Sequence, residues 1–238
     1  MTNRTWSPAT DVKDRPRFKG WRSKEFVPLE IIEAYAEDTL RLFAEACGGR
    51  VAFPLQAERL VKELFQLEVY YDDGTIMDRI DSQLLGSLYA EGMICPATGS
   101  DRVIMVNDAS RYADVTASFT ILHEAGHWLI HHPVDAAATE ISAYCRSEEA
   151  LPTWSKVPPR EWQANRLAGE VLMPTEMVAR VLDGCHPPEI VNLAIYGPRF
   201  REFFDVSQAA MEKRLSDLGY TCVGGRRAFA DVRETRGR

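Results

Sequence analysis

The chain has 238 residues, 45% of them hydrophobic, which is enough for one substantial core or a core with a small appendage; no apolar run approaches the roughly 18 residues needed to cross a bilayer, so no membrane span is expected. The N-terminus is charged where a secretion signal would be apolar, and five cysteines (Cys47, Cys95, Cys145, Cys185, Cys222) form no CxxC pair, so a cytoplasmic protein with reduced thiols is expected. Net charge is −7, but residues 1–24 carry seven Lys/Arg against two Asp and residues 222–238 carry five Arg against one Asp and one Glu, which leaves −15 between them; this acidic body disfavours docking on DNA and suits a basic protein partner.

Residues 1–24 read as a basic N-terminal tail. Leu29 to Ala46 then sets Ile32, Tyr35, Ala36, Leu40, Phe43 and Ala44 at a helical period, and Gly48-Gly49 ends it. A short helix is predicted from Leu55 to Phe65. Leu67, Val69 and Tyr71 alternate as a strand, Gly74 turns, Leu84 to Ile94 reads as extended, and Val103 to Val106 is a β-rich run after Thr98-Gly99-Ser100. Together these predict a small antiparallel sheet, with an edge around Leu85-Gly86-Ser87-Leu88. Val115 to His131 is the next helix, and Pro133 stops it. Glu161 to Pro174 is another. Short helices follow at Glu189–Ala194, Phe200–Phe204 and Val206–Tyr220, the last with Ser207 as N-cap and Gly219 just past its end. A DNA-reading face on that last helix would rest on Lys213 and Arg214, opposed by Glu212 and Asp217, so packing and partner recognition are the favoured roles. Residues 222–238 read as a second basic tail.

The chemistry concentrates in His123-Glu124-Ala125-Gly126-His127. On a helix, residues four apart share a face, with Cβ atoms about 6 Å from each other, so both imidazoles can reach one cation. Glu124 projects beside them, placed to take a proton from water. Phe119, Leu122, Gly126 and Ile130 fall on one apolar arc with the two histidines on its flank, which predicts partial desolvation. His131 lies about 12 Å along the axis from His123, too far for a shared ion. His132 reads as solvated.

A third ligand must come from elsewhere. Glu161, Asn165, Ala168 and Leu172 follow i, i+4, i+7 and i+11, which puts a carboxylate and an amide on a core stripe. Buried polar groups need partners; a metal for Glu161 and an imidazole N–H for the Asn165 oxygen would supply them. A first-turn glutamate favoured by the helix dipole explains Glu161 equally well. Glu170 points the opposite way, and Glu140, Glu148 and Glu149 read as solvated.

The segments HEAGHWLIH and EWQANRLAGEVLMP, in this order and with their flanking residues, resemble the ImmA/IrrE family of metallo-endopeptidases, which is similar to gluzincins. The likeness is close from Phe119 to Pro174 and looser from Leu29 to Tyr220. It implies an α+β fold: a zincin-like metallopeptidase domain at 25–174, with helices around the antiparallel sheet, and C-terminal helices at 175–221. It also implies a Zn2+ ion on His123, His127 and Glu161, a catalytic Glu124, and Asn165 behind the metal as the orienting residue; Mn2+ or Co2+ could occupy the same donors. Tyr144 and His131 are candidate helpers for the transition state. The stretch from Ser147 to Arg160 departs from the family pattern by making the connection between the motif helices long. The family's substrates are helix-turn-helix repressors of the Xre type, whose cleavage releases stress, phage or mobile-element genes; the competing expectation is a non-hydrolytic regulator that binds a repressor or antitoxin.

Overall fold

Helix α1 spans Leu29–Ala46 and buries the predicted stripe, Ile32, Tyr35, Ala36, Leu40, Phe43 and Ala44. Its end is a Schellman turn: Gly48 and Gly49 take φ of +79° and +96°, and the Gly49 N–H donates to the Ala44 carbonyl at 2.6 Å. The structure, a computed structural model, describes residues 5–6, 27–72, 92–96, 102–107, 113–131, 159–183, 185 and 189–224. Thr5–Trp6 (β1), inside the segment read as a tail, pairs antiparallel with Val51–Ala52 (β2). Helix α2 covers Ala57–Phe65, two residues shorter at its start than expected.

Three strands follow, β3 at Leu67–Asp72, β4 at Gly92–Pro96 and β5 at Arg102–Asn107. Their order is β3-β5-β4. β4 pairs with β5 antiparallel, but β3 pairs with β5 in parallel, with Leu67 opposite Arg102 and Asp72 opposite Asn107. The sheet is therefore mixed, not antiparallel as expected. Alternation identifies a strand and its buried face; it does not say which neighbour the strand takes, and β5 enters between the two earlier strands. Ile104, Val106 and Leu67 face the core, while Tyr70 and Tyr71 on edge strand β3 are exposed. The expected turn at Gly74 and edge at Leu85-Leu88 lie outside the described residues.

Helix α3 spans Ala113–His131 and helix α4 spans Pro159–Leu172. Pro159 opens α4, a position where its missing N–H costs nothing, so Pro159 and Arg160 belong to the helix and not to the long connection. α3 and α4 pack along each other, α1 covers α4, α2 covers α3, and β4 and β5 also lie against α3. Among the described residues, no helix is long and apolar enough to cross a membrane.

The C-terminal part departs from expectation in two respects. Ile190–Asn192 is a strand (β6), not the start of a helix, and it pairs in parallel with Thr221–Val223 (β7). Helix α5 (Thr175–Val181) precedes β6, and between the two strands stand α6 (Leu193–Phe204) and α7 (Gln208–Asp217). α6 runs unbroken through Pro198, where two helices were expected. Burial of Tyr196, Phe200, Phe203 and Phe204 on both sides of the proline outweighs its cost of about 3 kcal/mol. Ser207 caps α7 as predicted, its hydroxyl accepting from the Ala210 N–H at 3.2 Å. Gly219 takes φ +87°, and Tyr220 N–H reaches back to the Leu215 carbonyl.

Arg214 is not an exposed basic residue. Only 2% of it is accessible, and its guanidinium forks onto both oxygens of Glu170, each at 2.5 Å. It also donates to the Met173 carbonyl and the Thr175 hydroxyl. Arg166 extends the network to Glu170, Asp217 and Glu33. Helices α1, α4 and α7 are thereby tied together behind the face of α4 that carries Glu161.

Candidate metal centre

His123 and His127 of α3 are each 1% exposed, more deeply buried than partial desolvation predicted. Phe119, one turn earlier, stacks on His123 with ring centroids 6.5 Å apart. The two rings stand edge to face at 4.6 Å, so that the Nε2 atoms converge to 3.0 Å. Glu161, in the first turn of α4, brings one carboxylate oxygen to 3.2 Å from His123 Nε2 and the other to 3.2 Å from His127 Nε2. Among the described residues, these three form a group able to hold a metal ion.

The spacing suits a small cation. Ligands about 2.0–2.1 Å from a tetrahedral ion are separated by about 3.3 Å, close to the separations above. The protonation pattern points the same way. His123 Nδ1 faces the Asn165 side-chain oxygen at 3.2 Å; a carbonyl oxygen only accepts, so Nδ1 carries a proton, and in the neutral ring Nε2 keeps a lone pair. In that neutral form the lone pair faces a carboxylate oxygen, two acceptors that a proton or a metal cation between them reconciles. Two imidazole nitrogens and a carboxylate form a borderline-hard donor set, which suits zinc and admits manganese or cobalt.

Electrostatics prepare these groups to bind. Burial holds the His127 imidazole below its ordinary value, prevailing over the opposing pull of the Glu161 carboxylate, so the neutral, ligating form is favoured. Burial alone would raise Glu161, but hydrogen bonds and the fields of both imidazoles outweigh it and hold the carboxyl well below the usual range. Glu124, beside His123 on α3, is also 1% exposed.

Residues 91–216 match the family model of peptidase M78, the IrrE N-terminal-like domain, which is more than half of the chain. The chain belongs to this IrrE N-terminal-like peptidase family. No curated protein matches it. In this IrrE N-terminal-like chain the matched span runs from β4 through both motif helices into α7.

The candidates from sequence thus divide. His123, His127, Glu161 and Asn165 come together, with Glu124 on the same helix. His131 is the last residue of α3. Tyr144 and most of the 147–160 connection lie outside the described residues. Sequence reasoning missed the close approach of the two helices. A Cβ added at Gly126 would stand 3.2 Å from Ala164 Cα and 3.3 Å from its carbonyl oxygen. Two small residues in the motifs were the available signal, but their partnership needs the folded chain.

Proposed function

We propose that the protein is a zinc-dependent endopeptidase with a zincin-like core, and that it cleaves a DNA-binding repressor of the Xre type. The observation that carries this reading is the convergence of two imidazole nitrogens and one carboxylate at 3.0–3.2 Å, in a chain of a peptidase family.

His123 and His127 would hold the ion through Nε2, and Glu161 through its carboxylate. When bound, zinc supplies Lewis acidity, polarising the scissile carbonyl and bringing the pKa of water down to about 7. Asn165 keeps the His123 proton on Nδ1 and fixes the ring. Glu124 accepts a proton from the attacking water on its carboxylate and delivers it to the leaving amine nitrogen. Phe119, stacked on His123, shields that ring from bulk water, and the burial of both histidines strengthens each of these interactions.

A basic repressor complements the acidic middle of the chain, and its cleavage would release stress, phage or mobile-element genes in the cytoplasm. With Arg214 buried against Glu170, direct DNA reading by α7 is further disfavoured. The deciding experiment incubates zinc-loaded protein with the DNA-binding protein encoded beside it and resolves products by mass spectrometry. Specific fragments, lost with Glu124→Gln, are the expected result. A stable uncut complex would replace this reading with a binding regulator of the repressor or antitoxin; a DNA mobility shift with neither would replace it with DNA binding.

A further inference from the structure

We infer that Gly126 is a positioning residue that sets the separation of the two ligand helices and thereby tunes metal affinity; the inference rests on the metal-site reading above. Gly126 lies between His123 and His127 on α3. Opposite it on α4 is Ala164, fully buried, three residues after Glu161 and one before Asn165. The crossing point of the helices therefore falls in the middle of the site.

The contact leaves little slack. A Cβ at Gly126 would meet Ala164 Cα at 3.2 Å, its carbonyl oxygen at 3.3 Å and its Cβ at 3.5 Å. The first two are backbone atoms of a helix and cannot turn aside like the end of a flexible side chain. Accommodating one methyl group requires α4 to move off α3 by a few tenths of an ångström. Metal–ligand distances tolerate about 0.2 Å. The displacement would therefore be felt at Glu161, which spans both imidazoles, and at Asn165, which orients one of them.

This role is separable from ordinary helix stability, because alanine favours a helix over glycine. Gly169, also within α4, supplies the control: a Cβ there would meet nothing closer than Arg214 Cδ at 3.8 Å, an ordinary contact. Gly126→Ala and Gly169→Ala make the same chemical change, one at the crossing and one away from it.

The test titrates zinc alone into the metal-free full-length chain against a chromophoric chelator, with the visible spectrum of the cobalt-substituted protein as a second readout. Gly126→Ala is expected to lose about tenfold or more in zinc affinity, the range of an orienting residue, and to alter the cobalt spectrum, while the metal-free protein still unfolds in one cooperative transition. Gly169→Ala is expected to bind zinc as wild type does. Should Gly126→Ala fail to fold, Ala164→Ser presses on the same crossing from the other helix and is expected to weaken zinc in the same direction. Wild-type affinity in the Gly126→Ala and Ala164→Ser proteins, or an equal loss in Gly169→Ala, would overturn the inference alone. Failure of the wild-type chain to bind zinc would instead remove the metal-site reading beneath it.

Discussion

Asn165 holds the His123 ring and Glu124 is the next residue along the helix, so metal holding and proton transfer can be tested one at a time. Glu124→Gln keeps the shape of the side chain and removes its basicity, so it should retain zinc by elemental analysis while peptide cleavage falls about 10²–10⁴-fold. Asn165→Ala leaves all three donors but frees the His123 ring, and zinc affinity measured by chelator competition should drop about 10–100-fold. The pH dependence follows from His127, whose folded-state value is depressed by burial. A depressed imidazole takes up its proton in the unfolded chain first, so its contribution to stability is complete above about pH 6.5 and is lost as pH falls through the lower folded value. Denaturant titrations of metal-free protein should show this loss on acidification, and replacing His127 with Leu should flatten it.

At the scale of elements, α4 presents its ligands on one side and an ion network on the other. Arg214→Ala would leave Glu170 buried beside Arg166 without its main partner, and chemical denaturation should report a loss of about 3–5 kcal/mol. Replacing both Glu170 and Arg214 with apolar residues of similar volume should recover most of it. The helices were legible in the sequence because apolar residues recur at their period and because Gly48, Ser207 and Gly219 mark their ends. Glu161 and Asn165 were legible for a related reason, as polar groups on a stripe that otherwise packs. Pairings distant in the chain were not: Glu170 meets Arg214 across 44 positions, and β6 finds β7 some thirty residues later. The parallel alliance of β3 with β5 belongs with these, since direction is chosen by the tertiary fold. Pro198 misled for the opposite reason, being a strong local signal overruled by the aromatic residues buried around it.

For the whole molecule, a metal that binds only the folded chain adds stability by mass action, about 2.7 kcal/mol when free zinc stands a hundredfold above its dissociation constant. A chelator should therefore lower the melting temperature of wild type, and have no such effect once His123 and His127 are both replaced. The extent of the family match bears on a different matter. It begins at residue 91 and stops at 216, yet α1 and α2 cover the two motif helices, Phe53 stacks on Phe203 and meets Phe204 edge to face, and Asp217, which holds Arg166, falls just beyond the boundary. A fragment cut to 91–216 would bare the faces of α3 and α4 that α1 and α2 cover, and should be recovered aggregated or binding hydrophobic dye. The span that the family model matches is thus not a portable cassette in this chain: its two motif helices are expected to fold only together with the helices that precede them.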